Sequence, residues 1–129
     1  MLETGIKHTK CELVHENNTA ASLGSGLLPV YATPAMILLL EAACAEAVAP
    51  ELDEGCTTVG TKLCVEHVSA TPVGMEVRCE CELVEIDRRR LVFNVEIFDK
   101  AGTIGKGTHE RFIVASEKFM EKTNAKSQL

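Results

Sequence analysis

A chain of 129 residues, 46% apolar and 25% charged, has the size and balance of one soluble globular domain spanning residues 1–129, and excludes a disordered chain. Its formal charge of −6, with 4% aromatic residues and no Trp, argues against nucleic-acid binding, which needs a basic face and rings for stacking. The core has to come from Leu, Val, Ile, Ala, Met and Cys.

Residues 6–14 alternate loosely between apolar and polar and read as an edge strand, and residues 17–29, rich in Asn, Ser and Gly, read as a loop. Thr33-Pro34 then has the form of a helix N-cap followed by proline at the first helical position, and neither Gly nor Pro interrupts residues 35–49. Apolar residues surround the axis of this helix, which predicts a buried helix that another element must wrap. The run is interrupted by Glu41 and Glu46 and is expected to be too short to cross a bilayer.

The rest of the chain supplies the wrapper. Val59, Thr61, Leu63, Val65 and His67 form one face of a period-two strand. Met75, Val77, Cys79, Cys81 and Leu83 alternate with Glu76, Arg78, Glu80 and Glu82, the pattern of an antiparallel strand with one wet face. Between it and a third strand at 91–98, the run Arg88-Arg89-Arg90 reads either as a solvated hairpin tip or as an attractor for an anionic ligand such as a phosphate group. After a turn at 99–102 a fourth strand runs from 103 to 115, and residues 117–129 read as a frayed polar tail, with 119–129 as the polar C-terminal end of the single domain. One long helix followed by antiparallel strands predicts an α+β architecture, the hot-dog layout, in which a curved sheet of about five strands wraps a central helix. Its edges predict a homodimer, because pairing two edges across a two-fold axis hides them.

Six cysteines are present, and Met1-Leu2-Glu3 has neither the basic nor the apolar region of a signal peptide, so the thiols are expected to be reduced and the protein cytoplasmic. None falls in a CxxC pair. Cys64, Cys79 and Cys81 sit in strand alternation, where a free Cys acts as a small hydrophobe, and no metal site is expected.

Three residues stand out as polar groups in apolar surroundings. Glu41 lies mid-helix, where an unpaired carboxylate is costly to ionise, so it needs a partner, a watery rim or a function. Glu46 falls on a different face and reads as surface. His67 shares the register of Leu63 and Val65, either as a structural histidine or as one that exchanges a proton with Glu41 across the helix–sheet interface near neutral pH. Thr33 is most simply the N-cap. A helix start also offers free N–H groups that suit a polarised carbonyl or an oxyanion, and Pro34 leaves Ala35 or Met36 to donate. Thr33 and Glu41 lie eight residues apart, about 12 Å along the axis, so something must stand between them.

Several motifs in order resemble the fluoroacetyl-CoA thioesterase-like branch of the hot-dog superfamily, over about residues 30–115. They are Tyr31-Ala32-Thr33-Pro34-Ala35-Met36 with Glu41, Val59-Gly60-Thr61 leading to His67, Ala70-Thr71-Pro72-Val73-Gly74-Met75, and Gly105-Lys106-Gly107-Thr108-His109-Glu110-Arg111. The resemblance implies a thioester hydrolase acting on a small acyl-CoA, with Thr33, Glu41 and His67 as catalytic residues and Gly60 and Arg111 beside the acyl group. It implies coenzyme A as part of the substrate and no other cofactor. His109 and Glu110 read as structural strand residues, and Arg111 alternatively as the partner of a carboxylate. The loop from Ser22 to Val30 contains no Phe, so it supplies no aromatic lid for a fluoroacyl pocket. Two other readings keep the fold, a non-catalytic acyl-CoA-binding dimer and an acyl-CoA hydratase or dehydratase.

Overall fold

The long helix, α2, runs from Thr33 to Val48 in the computed structural model, which describes residues 1–129. Its start differs from the expected one. Ala32, with extended backbone and no side chain to offer, holds the N-cap position, while Thr33 is already helical and caps nothing. Pro34 is therefore the second helical residue, still within the turn where a missing N–H costs nothing. At the far end a 3₁₀ turn, Ala49–Glu51, carries Pro50. Thr33–Glu51 spans 19 residues and is long and apolar enough to cross a membrane by length and composition alone, contrary to expectation, yet here it lies against the sheet.

Five antiparallel strands form that sheet: β1 (Lys7–Leu13), β2 (Cys56–His67), β3 (Glu76–Asp87), β4 (Arg90–Asp99) and β5 (Gly102–Ala115), in the order β1-β3-β4-β5-β2. The sheet is open, with β1 and β2 at its edges. The alternation of β3 sends Val77, Cys79, Cys81 and Leu83 inward, all buried. They meet Met36, Leu40, Ala43 and Cys44 of α2 and the buried Phe93, Ile97 and Ile104 from the neighbouring strands. Each large side chain so buried contributes about 1.5–3 kcal/mol. The hairpin between β3 and β4 turns at Arg88 and Arg89, with Arg88 at φ 59. Both of these arginines are exposed, as at a solvated tip, whereas Arg90 hydrogen-bonds Glu85 and Glu110.

Four expectations are revised. First, the sheet covers only one side of α2. Ala35, Met36, Leu39, Leu40, Ala43, Cys44 and Val48 are buried, but Leu38 is 68% exposed on the opposite side. Second, the period-two face of β2 is broken by a β-bulge between Gly60 and Lys62, which leaves Thr61 out of the register with β5. Gly60 pairs with Arg111 and His67 with Gly105, so the face toward α2 carries Thr58, Gly60, Leu63, Val65 and His67 rather than Val59 and Thr61. Cys64 is exposed on this outer strand rather than acting as a core residue.

Third, residues 17–29 contain a helical turn, α1 (Ala20–Leu23), capped by Thr19, whose Oγ1 accepts from the Ser22 N–H at 3.2 Å. Fourth, the C-terminal tail is helical, with α3 at Ser116–Asn124 followed by a 3₁₀ turn. Its Glu, Lys and Met favour helix, with Glu117 in the first turn and Lys122 in the last, as the helix dipole prefers, although none of its residues is buried. Glu46 is on the surface as expected, and there it ties α2 to the edge strand β1 through His8 at 3.1 Å and Lys10 at 2.8 Å.

Candidate active site

Thr33 and His67 meet where α2 begins and β2 ends. Thr33 Oγ1 lies 2.8 Å from His67 Nδ1, so the hydroxyl that was expected to cap the helix is engaged with the imidazole instead. The His67 ring stands edge-on to Tyr31, with centroids 6.5 Å apart and planes at 79°. Tyr31 is itself fixed, because its ring is buried and its hydroxyl donates to Glu12. Burial and that carboxylate push the phenol pKa up, so Tyr31 stays neutral and braces the imidazole. Burial pushes the pKa of His67 down, opposed by a backbone contact at Ser69, and the ring is neutral at pH 7. Its Nε2 is buried and has no hydrogen-bond partner within the chain. A neutral imidazole touching a hydroxyl is the geometry of a base and the group it deprotonates.

The pair opens on a cleft of about 290 Å³ whose walls include Ala20, Val30, Tyr31 and Ala70. A larger groove of about 550 Å³ lies beyond Pro72, between Arg78, Phe98 and Lys100, but it contains no histidine and no paired acid and base. The smaller cleft is therefore the candidate site. Of the two N–H groups expected to serve an oxyanion at the helix start, that of Met36 is taken by the Ala32 carbonyl at 3.0 Å. Ala35 is left as the donor of the two.

Two turns along α2, a second cluster forms around Glu41. Its Oε2 lies 3.6 Å from Arg111 Nη1, so the carboxylate that needed a partner has a cation beside it, beyond hydrogen-bond range. Gly60 forms the floor. A methyl group added there would stand 2.6 Å from Glu41 Oε2, 3.2 Å from His109 Cε1 and 3.3 Å from Arg111 Nη1. Arg111 is held from the other side by Thr58, whose Oγ1 accepts from Nε at 2.8 Å and whose carbonyl accepts from Nη2 at 3.0 Å.

The five candidate residues thus fall into two groups within one chain, Thr33 with His67, and Glu41 with Gly60 and Arg111. The direct exchange between Glu41 and His67 does not occur within one chain, since the partners of His67 are Thr33 and the Tyr31 ring. Sequence reasoning missed the roles of Tyr31 and Thr58 and read His109 only as a structural strand residue. The signal for the last was in β5, where Gly105, Gly107, His109 and Arg111 follow at intervals of two and so share a face.

An open five-stranded antiparallel sheet against one long helix is the hot-dog layout, and the proteins that share it place the chain in the thioesterase class. A hot-dog-like protein from Thermanaerovibrio acidaminovorans shares the fold at 19% identity, with a TM-score of 0.89 over 97% of this chain and 93% of that one. A thioesterase superfamily member from Thermus thermophilus is 25% identical, with a TM-score of 0.91 over 99% and 95%.

Residues 14–117 match the fluoroacetyl-CoA-specific thioesterase family, and the chain belongs to it. The fluoroacetyl-CoA thioesterase of Streptantibioticus cattleyicolor is 43% identical over 98 residues, 76% of this chain and 70% of that protein. The solved structure of the fluoroacetyl-CoA thioesterase FlK superposes with a TM-score of 0.92 at 36% identity, covering 98% of each chain.

Proposed function

We infer that the protein hydrolyses a small acyl-CoA thioester to the free acid and coenzyme A. The observation that carries this reading is the 2.8 Å contact of Thr33 Oγ1 with a neutral His67, at the helix start of a thioesterase-family chain. The attacking oxygen is that of Thr33 or of a water bound to it, and either gives its proton to His67 Nδ1. As the C–O bond forms, the carbonyl oxygen gains charge and is met by the Ala35 N–H and the positive end of α2. The C–S bond then breaks, and the thiolate takes the proton back from His67. If Thr33 attacks first, water hydrolyses the acyl-threonine ester by the same proton route. Acid quench and mass spectrometry separate the two routes, since only the first leaves an acyl group on Thr33.

Glu41, Gly60 and Arg111 join this site in a homodimer. Leu38, 68% exposed, and Leu63, 42% exposed, leave apolar surface on α2 and β2 beside an unpaired strand edge. Antiparallel pairing of β2 with its copy sets opposite ends of the strand side by side, so the Thr33–His67 pair approaches the partner's Glu41 and the partner's Arg111. No metal or further cofactor is needed, because His67 supplies the proton transfers. A reducing cytoplasm suits six free thiols, and the charge of −6 suits a protein with no nucleic-acid partner. The packing of α2 on the sheet suits a protein that does not enter a membrane.

Thiol release from a panel of short and branched acyl-CoAs tests the function, and absence of turnover on every member sinks it. Thr33→Val should lower kcat/KM at least tenfold while changing unfolding free energy by less than about 1 kcal/mol, because the hydroxyl caps nothing. A loss of stability equal to that of a true N-cap would contradict this. Leu38→Glu should weaken the dimer about 1000-fold, roughly 2 kcal/mol for each of two buried leucines. Sedimentation velocity reads the dissociation, and circular dichroism should stay unchanged.

A further inference from the structure

We propose that His109 is a positioning residue that holds Arg111 by a lone pair on Nε2, so that one edge of the guanidinium stays turned toward Glu41 and Gly60. His109 is 1% exposed. Its Nδ1 lies 2.8 Å from the Lys62 carbonyl oxygen, and an oxygen of that kind only accepts, so Nδ1 carries the proton. Its Nε2 lies 3.1 Å from Arg111 Nη1, and a guanidinium only donates, so Nε2 carries the lone pair. The two neighbours together admit one tautomer and one charge state, a neutral ring.

The consequence falls on Arg111. Thr58 fixes Nε and Nη2 and His109 fixes Nη1, so three hydrogen bonds from two strands lock the plane of the guanidinium. The edge left without a close hydrogen bond is the one near Glu41 Oε2, at 3.6 Å. The bulge at Thr61 belongs to the same device, because it brings Gly60 and the Lys62 carbonyl to bear on Arg111 and His109 together.

Protonation of His109 would set an N–H against an N–H and a second cation beside Arg111. The groups that bear on this ring are Arg111 and Glu110 on its own strand, Glu41 on α2 and the Lys62 carbonyl on β2. Leu63 and Phe93, its register partners on β2 and β4, carry no charge. Burial and Arg111 hold the ring neutral, and Glu41, Glu110 and the Lys62 carbonyl oppose them.

This role rests on the reading of Arg111 as part of the thioesterase site, and the test separates the two. His109→Leu removes the acceptor, and His109→Gln restores one near the place of Nε2. The leucine variant should lose about 100-fold in kcat, the usual cost of a misplaced catalytic group. The glutamine variant should recover most of that loss and show an acid limb governed by one ionisation fewer than the wild type. A leucine variant of wild-type kcat, or a glutamine variant as impaired as the leucine one, overturns the proposal. Should the leucine variant not fold, the kcat and acid limb of the glutamine variant decide alone. Side-chain NMR gives a reading that needs no turnover. The Arg111 Nε–H resonance should be slow to exchange in the wild type and in His109→Gln, and fast when His109 is protonated by acid. An Arg111 signal indifferent to the state of His109 refutes the positioning role whatever the substrate is. Absent thiol release from a wild type with the expected NMR pattern refutes only the functional reading.

Discussion

His67→Gln is expected to lose hydrolysis by about 10²–10⁴-fold, the contribution of a positioned general base, while unfolding close to the wild-type temperature. The ring sits at the strand end with its Nε2 unpartnered within the chain, so replacing it removes one hydrogen bond, to Thr33, and an aromatic contact with Tyr31. Neither supports the core. The same geometry sets the pH profile. Burial pushes the His67 pKa below its ordinary 6.5, so the base is fully available at neutral pH and kcat/KM is flat above pH 7. Activity falls only on the acid side, with its inflection below pH 6.5, and the inflection belonging to His67 vanishes in the variant. Stability follows the same direction. His67 and His109 both bind protons more weakly in the folded state than in the unfolded chain, so folding stability declines as pH falls below 6.5. Denaturant unfolding at pH 5 and pH 7.5 measures it. Greater stability at the lower pH would be incompatible with these two environments.

The second large effect is expected at Gly60. Gly60→Ala places a methyl group 2.6 Å from Glu41 Oε2, a separation that real carbon atoms do not tolerate. The atom it meets is the free end of a side chain, so the carboxylate moves and the backbone stays, with little change in unfolding temperature. His109 and Arg111 are also close, at 3.2 and 3.3 Å, and both are tied by hydrogen bonds that resist displacement. Glu41 is therefore the group that yields. A shift of about 1 Å in a group that handles charge costs about 100-fold in rate. Steady-state kinetics on the short acyl-CoA that the wild type turns over best should show the loss in kcat. An alanine variant of normal kcat would mean that Glu41 does not work from the position it occupies over Gly60.

Much of this architecture was legible in the sequence, and the failures have identifiable causes. The alternation of Val77, Cys79, Cys81 and Leu83 with charged residues marked β3 correctly, because one buried face and one wet face leave a period of two. The long helix was found from its uninterrupted run between Thr33 and Pro50, but its apolar circumference was taken to mean burial on all sides. An apolar circumference does not say which sides have a cover, and Leu38, 68% exposed, has no neighbour in its own chain to bury it. Thr33 was assigned as a cap from the company of Pro34. A cap accepts a backbone N–H through its hydroxyl oxygen at the residue before the helix, whereas Thr33 lies one residue inside and its hydroxyl faces His67, 34 residues away in sequence. Glu41 was marked as a carboxylate in need of a partner, but the identity of that partner, Arg111, depends on which strand crosses the helix at that height. His109 was read only as a structural strand residue for a related reason. Its importance lies in the lone pair it turns to Arg111, and the composition of β5 is silent about tautomers. The tail at 117–129 was misread because polarity was taken for disorder, although its residues favour helix.

The bulge in β2 makes parity a determinant of chemistry in this protein. Gly60 and His67 are separated by seven positions, an odd number, and in a regular strand they would face opposite ways. The extra residue supplied at Thr61 corrects the count, and so the floor beneath Glu41 and the base beside Thr33 look toward the same helix. Thr61 itself takes part in neither cluster. Its hydroxyl makes one exposed hydrogen bond, to the Glu110 carbonyl at 3.2 Å, but its larger contribution is its place in the count: removing it would leave two half-sites on opposite sides of one sheet. Deleting this one position is therefore expected to cost far more activity than substituting it, a constraint that acts on length rather than on chemistry.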